Sequence, residues 1–108
     1  MSPIIERNQT DIHRICQENN VKLLYFFGSV LNPEKFSHES DIDVLVSFKS
    51  DISMETYTDS YFGLLFALEE LLGREVDLTT ERSVKNPYFK EELEATKILF
   101  YDISEVNG

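Results

Sequence analysis

The chain has 108 residues, which is enough for one compact core and too few for two ordinary domains. We therefore expect a single domain over residues 1–108. Twenty acidic residues against ten basic ones give a formal net charge of −10, which would repel the phosphate backbone of DNA or RNA. This balance argues against a nucleic-acid-binding protein and suits a basic protein partner better.

Cysteine usage and hydropathy indicate the compartment. The single cysteine, Cys16, cannot form an internal disulfide, and its neighbours Ile12 and Ile15 predict a buried thiol in a reducing environment. No apolar run approaches the roughly 20 residues of a membrane span. The N-terminal residues also lack the basic start and apolar core of a secretory signal. We therefore expect a cytoplasmic protein with no membrane segment.

Helical and strand patterns alternate along the chain. Ser2 and Pro3 predict the start of a helix that ends at Asn19 and Asn20. The apolar run Val21–Phe27 predicts a buried strand. The remaining predicted elements are a strand over 42–48, a helix over 55–72, a strand over 74–79, a helix over 86–96 and a short strand over 98–101. This order predicts an α/β (α+β) fold with helices around a small mixed β-sheet.

Two carboxylates, Asp41 and Asp43, stand at the start of the second predicted strand. Side chains alternate along a strand, so Asp41, Asp43 and Leu45 share one face while Ile42, Val44 and Val46 share the other. Burying two like charges without a partner would cost on the order of several kcal/mol. Mg²⁺ prefers such hard oxygen ligands. The pair therefore predicts a metal site, unless the aspartates simply face water at a strand end.

The first predicted strand ends in Gly28 and Ser29. Glycine lets the backbone approach a ligand closely, and the amide and hydroxyl of Ser29 can then point at phosphate oxygens. The simpler reading is an ordinary glycine between a strand and a turn. Eleven residues separate Ser29 from Asp41, so a phosphate cradle would lie beside a divalent-metal site. Together the two features indicate nucleotidyl transfer.

The combination of Gly28, Ser29, an eleven-residue spacer, Asp41 and Asp43 is similar to the signature of the minimal nucleotidyltransferases (MNT) in the DNA polymerase beta superfamily. The resemblance covers nearly the whole chain and implies the polymerase-beta-type nucleotidyltransferase fold. It also implies a third carboxylate from a later strand, for which Asp77 is the candidate unless it merely faces solvent on an edge strand. The implied roles are catalytic metal ligation of two Mg²⁺ ions by the three aspartates and nucleotide binding by Gly28 and Ser29.

One segment departs from the pattern of the family. Many relatives follow the Gly-Ser pair with an arginine-rich turn, whereas this chain has Val30-Leu31-Asn32-Pro33. No guanidinium is therefore available in that turn to hold nucleotide phosphates. Lys35 could reach the same space, although its flexible stem is a poor substitute for a planar fork.

The resemblance implies transfer of a nucleoside monophosphate, AMP from ATP, to a hydroxyl group. Stand-alone minimal domains resemble the antitoxin of HEPN/MNT toxin–antitoxin pairs, in which the nucleotidyltransferase is implied to adenylylate a tyrosine of a helical HEPN ribonuclease. The acidic balance agrees with such a basic protein partner. Two alternatives remain open: a non-catalytic module that neutralises a basic partner by binding, and a small-molecule nucleotidyltransferase of the aminoglycoside type. The three carboxylates favour an enzyme, and the missing arginine favours the binding module.

Overall fold

The computed structural model describes residues 2–106, whose strands form one mixed β-sheet. The strands are β1 (Val21–Phe27), β2 (Ile42–Phe48), β3 (Val76–Thr80) and β4 (Ile98–Asp102), in the spatial order β3-β2-β1-β4. Strand β1 is antiparallel to both β2 and β4, whereas β2 and β3 are parallel. Parallel neighbours need a long crossover connection, and the helix between β2 and β3 supplies it. The predicted mixed α+β architecture is confirmed.

Three helices cover one face of the sheet and form the main core with it. They are α1 (Pro3–Arg7), α2 (Gln9–Glu18) and α3 (Met54–Leu72). Alternate residues of the central strands, such as Phe26 and Val44, are fully buried against Leu64 and Leu68 of α3. Each such side chain contributes roughly 1.5 to 3 kcal/mol through its burial. This face is therefore closed by the fold itself.

The opposite face of the sheet is covered only in part, by α4 (Pro87–Thr96). The ring of Phe89 meets the ring of Phe27 edge to face at 6.2 Å between centroids. Leu93 is the one buried residue of α4, and it borders the same small cavity as Leu45 of β2. The N-terminal end of β2 on this face is thus left accessible.

The ends of α3 follow from two residues. The Ser53 hydroxyl accepts the N–H of Thr56 at 3.1 Å, which caps the first turn. Gly73 follows the last turn in the left-handed conformation, with φ of 64°. That conformation strains residues with a Cβ, so glycine is the expected stop. The predicted helix over 55–72 is confirmed to within one residue.

The outer edge of β3 is occupied by side chains of α3. The Tyr61 hydroxyl donates to the carbonyl of Leu78 at 2.9 Å, and the N–H of Val76 donates to the Glu69 carboxylate at 3.0 Å. Both backbone groups belong to an edge strand whose other side pairs with β2. Side chains therefore satisfy hydrogen-bonding groups that would otherwise face solvent.

Two predicted elements were wrong in extent. The first helix is interrupted at Asn8, which adopts φ of −106° and whose side-chain amide donates to the carbonyl of Ile4 at 2.8 Å. Such a local bond competes with the regular helical pattern. The third strand begins at Val76 and not at residue 74, because residues 74 and 75 form the connection that follows the Gly73 end of α3.

A short helix, α5 (Ile103–Val106), follows β4 and was not predicted. Its start is marked by Asp102, whose carboxylate accepts the N–H of Ser104 at 2.9 Å. Cys16 is buried and free, as expected, and burial raises the pKa of its thiol to about 12. In the part of the chain that the structure describes, we find no helix with the length and hydropathy of a membrane span.

Candidate active site

The strand register places Asp43 and Asp77 side by side. Strands β2 and β3 are parallel, and these two residues are direct partners across the pair. Their neighbours Val44 and Val76 are buried on the core face. Alternation therefore directs both carboxylates to the opposite, partly open face of the sheet. The register thus brings Asp77 beside Asp43, and its role as a third metal ligand stays a prediction.

Asp41 completes an acidic group at the same end of the sheet. It is exposed and immediately precedes β2, while Asp43 is half-buried. Burial raises the pKa of the Asp43 carboxyl above its ordinary value, and the negative charges of Asp77 and then Asp41 raise it further. The three carboxylates therefore share one electrostatic environment, in which added negative charge is unfavourable and a cation would be favourable.

The three carboxylates are neighbours without forming a closed ligand shell. Among residues 2–106, no group of three or more His, Cys, Asp or Glu side chains is gathered closely enough to hold a metal ion. The chemistry of the donors nevertheless fits a hard divalent cation, because all three offer carboxylate oxygens from one face of the sheet. Burial raises the pKa of the Asp43 carboxyl most, and the charges of Asp77 and Asp41 add to that rise, so a cation beside Asp43 would be favourable.

Gly28 brings the backbone against the Asp43 carboxylate. Phe27, the last residue of β1, pairs with Asp43, and Gly28 follows with φ of 74°. A Cβ built on Gly28 would collide with the Oδ2 atom of Asp43. Both the backbone angle and the lack of space therefore require glycine here. The short 3₁₀ turn Gly28–Leu31 then carries Ser29 beside the aspartates.

A cleft of about 440 Å³ opens between this turn and α4. Its lining includes Gly28 and Ser29 on one side and Phe89 on the other. Lys35 also lines the cleft, as the sequence suggested it could. The carbonyl of Asn32 accepts the N–H of Lys35 at 3.0 Å, and this bond folds the chain back so that the lysine lies near Ser29. The cleft next to the Gly28 turn is thus lined by one positively charged side chain, the flexible Lys35.

Arg74 holds the far end of the spacer. Its guanidinium donates to the carbonyls of Ser37 and Ser40 at 2.5 and 3.1 Å and lies 4.2 Å from the centre of the Phe36 ring. Ser40 directly precedes Asp41, and Arg74 itself lies three residues before Asp77. One side chain therefore links the two segments that carry the outer aspartates.

Comparison with known proteins matches this arrangement to a family. Residues 10–106 match the family model described as "Polymerase beta, Nucleotidyltransferase". The chain belongs to this nucleotidyltransferase family. A Methanocaldococcus jannaschii protein of the family, named "Putative protein adenylyltransferase MJ1379", is 39% identical over 74 residues, which are 68% of this chain and 71% of that protein. The expected family and enzyme class are confirmed.

Solved structures of nucleotidyltransferases share the fold. One, described as "putative minimal nucleotidyltransferase", has a TM-score of 0.67 and 26% identity, with 91% of this chain and 95% of that chain covered. A second comes from a complex of the tri-AMPylated Shewanella oneidensis HEPN toxin with an MNT antitoxin. It has a TM-score of 0.61 and 19% identity and covers 94% of this chain and 76% of that chain. The second likeness shows the fold alone.

Sequence reasoning missed Arg74 in this nucleotidyltransferase. The sequence pattern places Arg74 in the predicted third strand. No local pattern marks an arginine whose bonding partners lie 34 and 37 residues earlier in the chain. The one available signal was its position between the Gly73 helix stop and the strand of Asp77. By contrast, Gly28, Ser29, Asp41 and Asp43 lie at one end of the sheet, as their spacing predicted, and the pairing of β3 with β2 brings Asp77 to the same end.

Proposed function

We propose that this nucleotidyltransferase moves AMP from ATP to a hydroxyl of a protein partner, and that the partner is a helical HEPN-type toxin. The observation that carries the proposal is the pairing of Asp43 with Asp77 directly beside the Gly28 turn. Two similar proteins support it: the relative is named "Putative protein adenylyltransferase MJ1379", and the structural neighbour comes from a complex of a tri-AMPylated HEPN toxin with an MNT antitoxin.

In this proposal the aspartates are the metal ligands. Asp41, Asp43 and Asp77 would supply carboxylate oxygens to Mg²⁺, with two ions as the expected number. When bound, Mg²⁺ neutralises phosphate charge and lowers the pKa of the attacking hydroxyl. The raised pKa of Asp43 supports this role, because neighbouring carboxylates that disfavour one another are the setting in which a divalent cation gains most.

The phosphates of ATP would lie at the Gly28 turn. Gly28 allows close approach to its backbone, Ser29 offers a hydroxyl, and Lys35 supplies the positive charge that relatives obtain from arginine. The acceptor oxygen bonds to the α-phosphorus of ATP and its proton is lost to water. The bond from that phosphorus to the β-phosphate oxygen breaks, and pyrophosphate leaves. The chain's own residues thus bind and orient the reactants.

The test is incubation of the purified chain with ATP, Mg²⁺ and the protein encoded by the neighbouring gene, which the proposal expects to be of HEPN type. We expect mass spectrometry to show added AMP on a tyrosine of that protein, and removal of the metal by a chelator to abolish the addition. The Asp43→Asn variant is the matched control and should transfer nothing. Efficient labelling of an oligonucleotide or tRNA with the HEPN-type protein unmodified would contradict the proposal.

The absence of an arginine in the turn at residues 30–33 favours a second candidate, a non-catalytic module that neutralises its partner by binding. The same variant separates the two functions. If Asp43→Asn still neutralises the toxin in cells as fully as the native chain, binding alone is sufficient. If neutralisation is lost while the complex still forms, transfer of AMP is the function.

A further inference from the structure

Helix α4 is attached to the molecule by little of its surface. Leu93 is its one buried residue. Tyr88 is 82% exposed, and Phe89 is 37% exposed although its ring contacts Phe27. Aromatic side chains are enriched on surfaces where a protein partner docks. The start of α4 therefore has the character of an uncovered interface.

This surface is continuous with the cleft beside the Gly28 turn. Phe89 and Glu92 both line that cleft, on the side opposite Ser29. On a helix, residues three and four apart share a face, so Tyr88, Glu91 and Glu92 lie together. A partner that covers this face would have its nearest side chains at the mouth of the cleft.

The charge of this face of α4 indicates which kind of partner it would bind. Glu91 and Glu92 are exposed, and in the part of the chain from 2 to 106 neither forms an ion pair. Glu94, by contrast, already pairs with Lys97 at 3.0 Å. Two unpaired carboxylates beside an exposed tyrosine suit a partner that presents Lys or Arg around an apolar contact. A second copy of this chain is disfavoured, since each copy has a net charge of −10.

We propose that the exposed face of α4, formed by Tyr88, Glu91 and Glu92, docks a basic segment of the protein acceptor and presents its hydroxyl to the cleft. This inference rests on the proposed function and names how its protein substrate is recognised. Tyr88 provides the apolar anchor, and the two carboxylates fix the orientation and accelerate association. Tyr88 and Glu91 lie outside the lining of the cleft beside the Gly28 turn, so both can be substituted without touching the proposed phosphate site.

The test uses the full chain, ATP, Mg²⁺ and the protein encoded by the neighbouring gene, which the proposed function expects to be of HEPN type, with two variants on α4. Tyr88→Ala should weaken binding of that protein and raise its KM about tenfold, as expected for an exposed aromatic anchor. Glu91→Lys should weaken binding by a similar factor and flatten its dependence on salt concentration. Glu92 is left intact because it lines the cleft. Both variants should bind ATP with Mg²⁺ as the native chain does.

The matched control is Phe62→Ala on α3. Phe62 is also an exposed aromatic residue, at 48% exposure, but it lies in the helical layer on the other face of the sheet. This variant should leave binding and transfer unchanged. If Phe62→Ala weakens the complex and the α4 variants do not, or if the α4 variants change only the self-association of the chain, the assignment is overturned.

The outcomes also distinguish this inference from the proposed function. If the native chain binds the HEPN-type protein through Tyr88 and Glu91 but transfers no AMP, docking stands and the reaction fails. If AMP is transferred with the same KM by the native chain and the α4 variants, the reaction stands and docking on α4 fails. If the native chain neither binds nor modifies that protein, both are wrong.

Discussion

Gly28 combines two constraints that a substitution can separate. Its φ of 74° disfavours any residue with a Cβ, and a Cβ at this position would also collide with the Asp43 carboxylate. Gly73 has the first constraint without the second, because its φ is 64° and the space around it is open. The two glycines therefore form a natural pair for measuring what close packing against Asp43 costs.

We expect Gly73→Ala to lower the free energy of unfolding by about 1 to 2 kcal/mol through backbone strain alone. Gly28→Ala should lower it by roughly 1 to 3 kcal/mol more, the usual cost of overpacking. Chemical denaturation of both variants measures the difference. In an Asp43→Ala background the cost of Gly28→Ala should fall to that of Gly73→Ala. An unchanged cost in that background would show that Asp43 is not what restricts this position.

The contribution of Asp43 to the stability of the apo protein should be lost as the pH rises above the ordinary pKa of an aspartate. Because the pKa of Asp43 is raised in the folded state, folding favours the protonated carboxyl, and this contribution is lost as the pH passes from the unfolded to the folded pKa. We expect Asp43→Asn to remove that loss and to be at least as stable as the native chain at neutral pH. Denaturation of both proteins without metal, at about pH 3 and about pH 7, checks this. A less stable variant at about pH 7 would show that the Asp43 charge is structurally required.

At the scale of elements, Arg74 fixes the spacer relative to β3. We expect Arg74→Ala to lower the free energy of unfolding by about 1 to 2 kcal/mol, because two charge-assisted bonds and a ring contact are lost. The more specific effect of Arg74→Ala is faster hydrogen exchange of the backbone amides of the spacer. We also expect a higher KM for ATP, because the spacer ends directly before Asp41. Arg74→Lys should restore only part of this, because lysine lacks the planar fork.

The control for this prediction is Arg14→Ala, which removes exposed ion pairs with Asp11 and Glu18 inside α2. Exposed pairs of this kind are worth about 0 to 1 kcal/mol. In the Arg14→Ala variant, the backbone amides of the spacer should exchange hydrogen at the native rate. Equal exchange in the Arg74→Ala and Arg14→Ala variants would mean that Arg74 does not order the spacer.

Local patterns predicted the elements that local forces determine. The apolar runs of β1 and β2, the stripe and glycine stop of α3, and the Asn86 start of α4 were all recoverable from spacing. The break at Asn8 was not, because whether an asparagine bonds back to a carbonyl depends on packing. The bonds of Arg74 to the spacer were not predictable either, because its partners are distant in sequence.

In the candidate site, too, some features follow from local patterns and others depend on contacts between residues that are distant in sequence. The spacing of Gly28, Ser29, Asp41 and Asp43 predicted its elements, and strand alternation predicted the direction of Asp77. The neighbouring position of Asp77 required the parallel pairing of β2 with β3, which no local pattern specifies. The contact between Gly28 and the Asp43 carboxylate likewise depends on the antiparallel register of β1 and β2.

At the scale of the whole molecule, net charge determines which polymers can bind. A chain with a net charge of −10 lacks the cationic contacts that release counterions from nucleic acids, which supply most non-specific affinity. We expect no change in fluorescence anisotropy when labelled RNA or DNA is titrated with the protein at about 0.15 M salt. Saturable binding that weakens steeply with salt would contradict this and would redirect the search for an acceptor to nucleic acids.

The side chains that occupy the outer edge of β3 have a consequence for assembly. An exposed strand edge is a template on which another chain can add a strand, and it is a common starting point for aggregation. Here Tyr61 and Glu69 already hold the groups of Leu78 and Val76 that an incoming strand would need. A foreign strand must break both bonds before it can pair, so the sheet is protected from growth at the edge that bears Asp77.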